Sequence, residues 1–374
     1  MFVNKLKVSV AAGVLSTALA GVALAGGSAS ASASSCDTAT SAAACGGMSK
    51  LIAAAKKEGV LNVITLPSNW ANYGTIIKDF SKKYGIKVES YNPDGSSQDE
   101  INAVEQDKGR SSAPDVLDVG TSYATSNLNL LAPYKVATWS SIPSALKDPS
   151  GRWFDDYGGY VSIGCNTKIV TTCPTSFAQL LNPMYKNEVG INGDPTQASA
   201  AFSAVFAAAL SNGGSFSNIQ PGIDFFAKLN KAGNYVPGGS AATAESGTTP
   251  ILIWWDYLQD SIKSTLPAWT VNIPTDASYA AYYSQAISKT APHPAAARLW
   301  EEYLYSTTGQ NLWLQGNARP VELPTIIKNG TVNKTWLAEL PVAPAGTTTF
   351  PTLAQLATAK NTVAANWASA ISGS

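Results

Sequence analysis

From Met48 onward the chain switches repeatedly between two kinds of hydrophobic spacing. Met48 to Lys57 is amphipathic at helical spacing and stops at Gly59. Val60 to Thr65 is an apolar run with β-branched residues, the pattern of a buried strand. Positions 73, 76, 77, 80 and 84 are apolar or aromatic, so Ala71 to Tyr84 reads as a helix closed by Gly85. Ile86 to Tyr91 alternates as a strand, Gln98 to Lys108 returns to helical register, and Asp115 to Val119 is again a strand. This β-α-β-α-β order predicts an α/β unit with a mainly parallel sheet. The middle repeats the logic. Strands are expected at Tyr160 to Cys165, Val189 to Ile191, Pro250 to Trp254, Val271 to Ile273 and Tyr279 to Ile287. Helices are expected at Ser176 to Leu181, Gln197 to Leu210, Ile219 to Ala232, Ala295 to Tyr305, Gly309 to Leu314 and Leu353 to Ile371. No short fixed period recurs, which excludes solenoids and propellers.

Composition narrows the function. Of 374 residues, 45% are hydrophobic and 13% charged, the reverse of a disordered chain. Lys+Arg and Asp+Glu are both 25, so no basic footprint for nucleic acid exists. One His and four Cys leave no multi-histidine or four-thiolate metal site with ligands to spare. Residues 1–25 have the order of a secretory signal: Lys5 and Lys7, an apolar run from Val8, and Ala23-Leu24-Ala25 as a cleavage site, with Ala29-Ser30-Ala31 as a second. A lipid anchor is the competing reading. Cys36 and Cys45 both lie well past the apolar run, and Cys36 has Ala33 three positions back where a Leu-type residue is usual. Residues 26–47 are Ser/Ala/Gly-rich and read as a flexible spacer. An exported chain meets an oxidising compartment, so the four Cys are expected to form two disulfides. Proximity favours Cys36 with Cys45 and Cys165 with Cys173 among the possible pairings.

Four segments, in order, resemble a known family. They are Leu61-Asn62-Val63-Ile64 followed by Phe80-Ser81-Lys82-Lys83-Tyr84-Gly85-Ile86-Lys87-Val88; Ala113-Pro114-Asp115-Val116-Leu117-Asp118-Val119; Tyr157 to Lys168 with its Asn166-Thr167-Lys168; and Gln285 to Ala297, with Lys289 and His293-Pro294, continuing through Glu302 to Gln310. Together they are similar to the extracellular solute-binding proteins of ABC importers, in the type II periplasmic-binding-protein group. The resemblance runs from about Met48 to about Trp367. It implies an α/β fold of two lobes, each with a mainly parallel sheet, joined at a hinge around a ligand cleft. Lobe one would hold residues 48–157 and the return segment 276–374, and lobe two residues 158–275, with crossings near 156–160 and 275–279. It further implies a monomeric carrier with no cofactor, a small-molecule solute and a membrane permease as partners, and an extracytoplasmic location.

The resemblance also points to loops at strand ends as ligand contacts. Ser68, Asn69 and Trp70 follow the first strand, and Thr121 and Ser122 follow the Asp115 strand. Asp194 and Thr196 precede the Ala-rich helix, where amides suit an anion and a carboxylate suits a cation. Trp254, Trp255, Asp256 and Tyr257 close the Pro250 strand. Neighbours on a strand face opposite sides, so one Trp lines the cleft and the other the core. Aromatic faces beside Asp256 favour an organic cation, such as a polyamine or a thiamine-like compound. An anion such as a phosphonate or sugar phosphate, or ferric iron at Tyr282-Tyr283, is the alternative within the same role. A secreted hydrolase is the alternative of another class. It would need a triad or a paired carboxylate site, and no G-x-S-x-G accompanies His293.

Overall fold

The computed structural model describes residues 35–344 and 349–372. The leader expected over 1–25 and its cleavage sites lie outside them. The first part of the chain runs α1 (Met48–Glu58), β1 (Val60–Ile64), α2 (Tyr73–Tyr84), β2 (Lys87–Tyr91), α3 (Ser97–Gln106), β3 (Val116–Gly120), α4 (Thr121–Ser126), β4 (Leu131–Ala132) and β5 (Phe154–Asn166). The middle runs α5 (Phe177–Leu180), β6 (Val189–Ile191), α6 (Ser199–Ser211), α7 (Gln220–Lys231), β7 (Tyr235–Val236), α8 (Ala241–Glu245), β8 (Ile251–Trp255), α9 (Asp256–Ile262) and β9 (Trp269–Asn272). The return runs β10 (Ala280–Ser288), α10 (Pro294–Leu304), α11 (Thr307–Gln315), β11 (Arg319–Pro320), α12 (Leu323–Lys328), α13 (Lys334–Glu339) and α14 (Leu353–Ser372).

The helices follow their predicted stripes. Leu51 and Ala55 of α1 are buried, and Gly59 takes φ 74°, the left-handed turn that returns its N–H to the Ala55 carbonyl. Tyr73, Ile76 and Phe80 bury one face of α2. Ser96 and Asp99 cap α3 reciprocally. The Ala-rich α6 is buried along nearly its whole length and packs on α7.

β1 and β2 pair in parallel, as do β6 with β7 and with β8. The expectation of mainly parallel sheets needs correction, because the remaining pairings are antiparallel. β5 is thirteen residues long and buried throughout. Its first half pairs antiparallel with β10 and β11, its second half with β8 and β9. The switch falls at Tyr160–Val161, where the Val161 N–H donates to the Tyr279 carbonyl at 2.9 Å. β10 returns antiparallel between β3 and β5. One strand entering the second lobe and one returning from it must run in opposite directions, and that makes the sheets mixed. Gly158 is required at the crossing, since a Cβ there would lie 2.1 Å from the Ala281 carbonyl oxygen.

Two further expectations change. Residues 35–47 are not a loose spacer. Cys36 is bonded to Cys45, Ala39 is buried, and its carbonyl accepts from Arg298 Nε at 2.7 Å. The second disulfide is Cys165–Cys173, so both short-loop pairings are present. The return segment also does not stay with lobe one to its end. α14 packs on α7 of lobe two, with Trp367 against Phe226 at 5.5 Å and Ile371 O accepting from Asn230 Nδ2 at 2.7 Å. Its Lys360 reaches back to the Tyr123 ring of α4, 3.5 Å from the centroid.

Candidate functional site

A cavity of about 520 Å³ lies between the lobes. Its first-lobe wall comes from the loop after β1, the start of α3, Asp118 of β3 and Tyr283 of β10. Its second-lobe wall comes from the starts of α6 and α8 and from Trp254 at the end of β8. Strand ends and helix starts meet there because both lobes point the same end of their sheets at the cleft.

Asp118 is the centre of the first-lobe wall and is 6% exposed. Its Oδ2 accepts from Tyr73 Oη at 2.7 Å and from Tyr157 Oη at 2.9 Å. Its Oδ1 has no partner. Tyr157 Oη in turn accepts from Trp70 Nε1 at 2.7 Å, and Tyr73 Oη from Gln285 Nε2 at 3.0 Å. The two phenols fix one oxygen, and the other is buried with no hydrogen-bond partner among the described residues. Burial pushes the Asp118 carboxyl up to about 7, against the pull of the two phenol hydrogen bonds. Glu100 stands beside it. Its Oε2 accepts from the Asp118 N–H at 2.9 Å and its Oε1 from Thr65 Oγ1 at 2.5 Å. Burial, then the neighbouring Asp118, holds Glu100 well above the usual carboxylate range. Three aromatic rings complete the site: Trp70 meets Trp254 at 5.7 Å and Tyr283 at 5.8 Å, both edge to face. Among the described residues no Lys, Arg or His side chain lines the cavity.

The sequence-derived candidates divide. Asn69, Trp70 and Trp254 line the cavity. Trp255 is 1% exposed and lies in the core against Tyr257 and Tyr283, as strand alternation requires. Trp255→Ala is therefore expected to lower unfolding free energy by about 3–5 kcal/mol. Trp254→Ala should cost solute affinity with a smaller loss of stability; urea unfolding and calorimetric titration separate the two. Ser68 is exposed and outside the cavity; its carbonyl accepts from the Gly74 N–H. Thr121 and Ser122 face a different cavity, and Thr121 Oγ1 donates to Asp155. Asp194 and Thr196 form a closed local turn, with Asp194 Oδ1 accepting from Thr196 N at 2.7 Å and Oγ1 at 2.6 Å. The α6 residues in the cavity are instead 198–200, after that turn.

Asp256 is fully buried and already paired. Its Oδ2 takes Arg319 Nη1 at 2.7 Å, and its Oδ1 accepts from the N–H groups of Tyr160 and Tyr257. Arg319 lies on β11, beside the first half of β5, so this ion pair ties the hinge instead of facing the cleft. Tyr257 is buried beside it, outside the cavity. Tyr282 and Tyr283 line different cavities, one on each face of β10, which keeps them from chelating one ion together. Among the described residues no group of three or more His, Cys, Asp or Glu is placed to hold a metal ion.

Sequence reasoning passed over Asp118, Glu100 and the phenols of Tyr73 and Tyr157, and weighed Tyr283 only as half of an iron-binding pair with Tyr282. One signal was present for Asp118. A carboxylate inside Val116-Leu117-Asp118-Val119, an otherwise apolar strand, is out of place unless it is paired or functional.

The family model for bacterial extracellular solute-binding proteins matches residues 119–339. Solved structures of the same fold include the periplasmic binding protein AfuA from Actinobacillus pleuropneumoniae with bound fructose-6-phosphate. It is 19% identical with a TM-score of 0.67, over 85% of this chain and 100% of that one. Iron-bound HitA from Pseudomonas aeruginosa is 19% identical with a TM-score of 0.57, over 82% and 97%. A putative spermidine/putrescine ABC transporter protein from Listeria monocytogenes is 14% identical with a TM-score of 0.58, over 83% and 99%.

Proposed function

The chain belongs to the bacterial extracellular solute-binding proteins, the substrate-binding components of ABC transporters, and on that premise we propose that its solute is a small organic cation held in the cleft between Asp118 and Trp254. It is a transport protein and not an enzyme, working outside the cytoplasm. The observation that carries the cation reading is Asp118, which lines the cavity and whose Oδ1 is buried without a partner, in a wall to which no basic side chain among the described residues contributes. An unpaired buried carboxylate is costly, and a ligand ammonium would offset that cost while the indoles of Trp70 and Trp254 offer their faces to its charge. An anion would meet Asp118 and Glu100 with no side-chain counter-charge. The cavity volume suits a molecule of polyamine or thiamine size. Release to a membrane permease and action as a monomer belong to the same proposal.

The test is a thermal-shift panel of putrescine, spermidine, choline and thiamine against fructose-6-phosphate, 2-aminoethylphosphonate and ferric citrate. Mass action predicts a rise in melting temperature with a cation. A rise only with an anion or with iron would overturn the reading.

Protonation gives a second expected outcome. Asp118 must be ionised to pair with a cation, and its carboxyl sits at about 7. Affinity should therefore fall by up to about tenfold per pH unit below that value, with proton release on binding. The ligand-free protein behaves oppositely. A carboxyl raised in the folded state contributes stability that is full below its unfolded value and lost as pH rises through about 7. Calorimetry in buffers of different ionisation enthalpy reads the first effect, and urea unfolding from pH 5 to 8 the second.

A further inference from the structure

A second cavity, of about 440 Å³, is lined by the consecutive residues 279–282 where β10 begins, while the next residue, Tyr283, lines the cleft. Most of its wall is apolar or aromatic, from Phe202 of α6, Tyr279, Tyr282, Phe350, and Leu353 and Leu356 of α14. Protein interiors are close-packed, and a space of this size falls within the range of about 300–1,000 Å³ typical of small-molecule sites.

Among the described residues, one carboxyl group is buried in that wall. Asp155 of β5 is 3% exposed. Both of its hydrogen bonds go to Oδ1, from Ser284 Oγ at 2.5 Å and Thr121 Oγ1 at 3.1 Å. Oδ2 receives none among the described residues. Among the described residues Lys147 is the one basic side chain lining the cavity, and it is committed elsewhere. Its Nζ donates to the Trp139 carbonyl at 2.6 Å and sits 4.7 Å from the Trp139 ring centroid. Burial lifts the Asp155 carboxyl to about 7, so the charged form lacks a counter-ion. A carboxylate with an open oxygen, at the edge of an aromatic enclosure, is complementary to an ammonium group on an apolar body.

We propose that this cavity is a second ligand site, separate from the cleft, for an arylalkyl amine whose ammonium meets Asp155 and whose ring lies among Phe202, Tyr282 and Phe350. Ser199 lines both cavities, and their remaining lining residues differ. Its polar end is built from β5, α4 and β10, and its apolar end from α6 and the 350–356 segment.

The experiment is a calorimetric titration with phenethylamine, using 2-phenylethanol and phenylacetate as neutral and anionic matches in shape. It is run on the Asp118→Asn protein, so that the carboxylate proposed to hold the cleft's solute is absent. The expected result is saturable phenethylamine binding, with both controls at least about tenfold weaker, as the loss of a charge-assisted contact implies. Leu356→Trp, which fills the space from the partly exposed α14, should abolish binding. Asp155→Asn should erase the preference for the amine. Should Asp155→Asn fail to fold, Leu356→Trp decides by itself. No saturable phenethylamine binding, equal binding of all three compounds, or binding that survives Leu356→Trp overturns the proposal. The cleft reading would stand in each of those cases, because it is measured with a different carboxylate and a different solute panel.

Discussion

Asp118→Asn is expected to weaken binding of the cognate cation by roughly a few hundred- to a few thousand-fold and to leave the fold standing. Removing one partner of a desolvated ion pair costs about 3–5 kcal/mol, which converts to that range of affinity. The fold is spared because Asn keeps the shape and can still accept from Tyr73 and Tyr157, which hold Asp118 Oδ2 now. In the ligand-free protein the substitution also removes a buried charge that has no counter-ion, so unfolding free energy should hold or rise. Titration calorimetry with whichever cation shifts the melting temperature, beside urea unfolding without it, reads both quantities. Unchanged affinity in Asp118→Asn would remove Asp118 from the site. Tyr73→Phe or Tyr157→Phe should give a smaller loss, since each frees one oxygen from one of two anchors.

Arg319→Ala is expected to be the most destabilising single change at the hinge, by about 3–5 kcal/mol. It strands Asp256, which is fully buried and has Arg319 as its charged partner. It also removes the guanidinium stacked 4.9 Å from the Tyr160 ring centroid and its bond to the Pro341 carbonyl. Tyr160 sits where β5 changes lobes, so the loss should loosen the crossing itself. Asp256→Asn should cost less, because the amide can still accept from the Tyr160 and Tyr257 N–H groups. Neither variant touches the cleft wall, so solute affinity per folded molecule should change far less than stability. A urea midpoint that barely moves in Arg319→Ala would show that the pair contributes little at the hinge.

These two predictions exchange the roles that the sequence alone implied for two aspartates. Asp256 stands beside Trp254, Trp255 and Tyr257, so a reading of neighbours makes it the cation partner. Asp118 stands among Val116, Leu117 and Val119, so the same reading makes it part of a core strand. What reverses them is distant in sequence. Arg319 is 63 residues from Asp256, and Tyr73 and Tyr157 are 45 and 39 residues from Asp118. No periodicity within an element carries information about such partners.

What the sequence determined by itself was local. Apolar stripes placed the long helices, glycines 59 and 85 ended two of them, and alternation put one of Trp254 and Trp255 on the cleft side and the other in the core. Short loops paired Cys36 with Cys45 and Cys165 with Cys173. Each rests on interactions within a turn, a strand or a loop of fewer than about a dozen residues, where backbone geometry leaves few choices. Only the tertiary structure decided that β10 enters between β3 and β5, that β5 divides its partners between two sheets, and that α14 lies on α7. It also decided which acid meets a distant guanidinium and which keeps a carboxylate oxygen without a partner among the described residues. The physical reason is that strand pairing and buried charge are settled by competition among many distant surfaces for burial and hydrogen bonds, and the outcome is fixed only when the whole chain has packed.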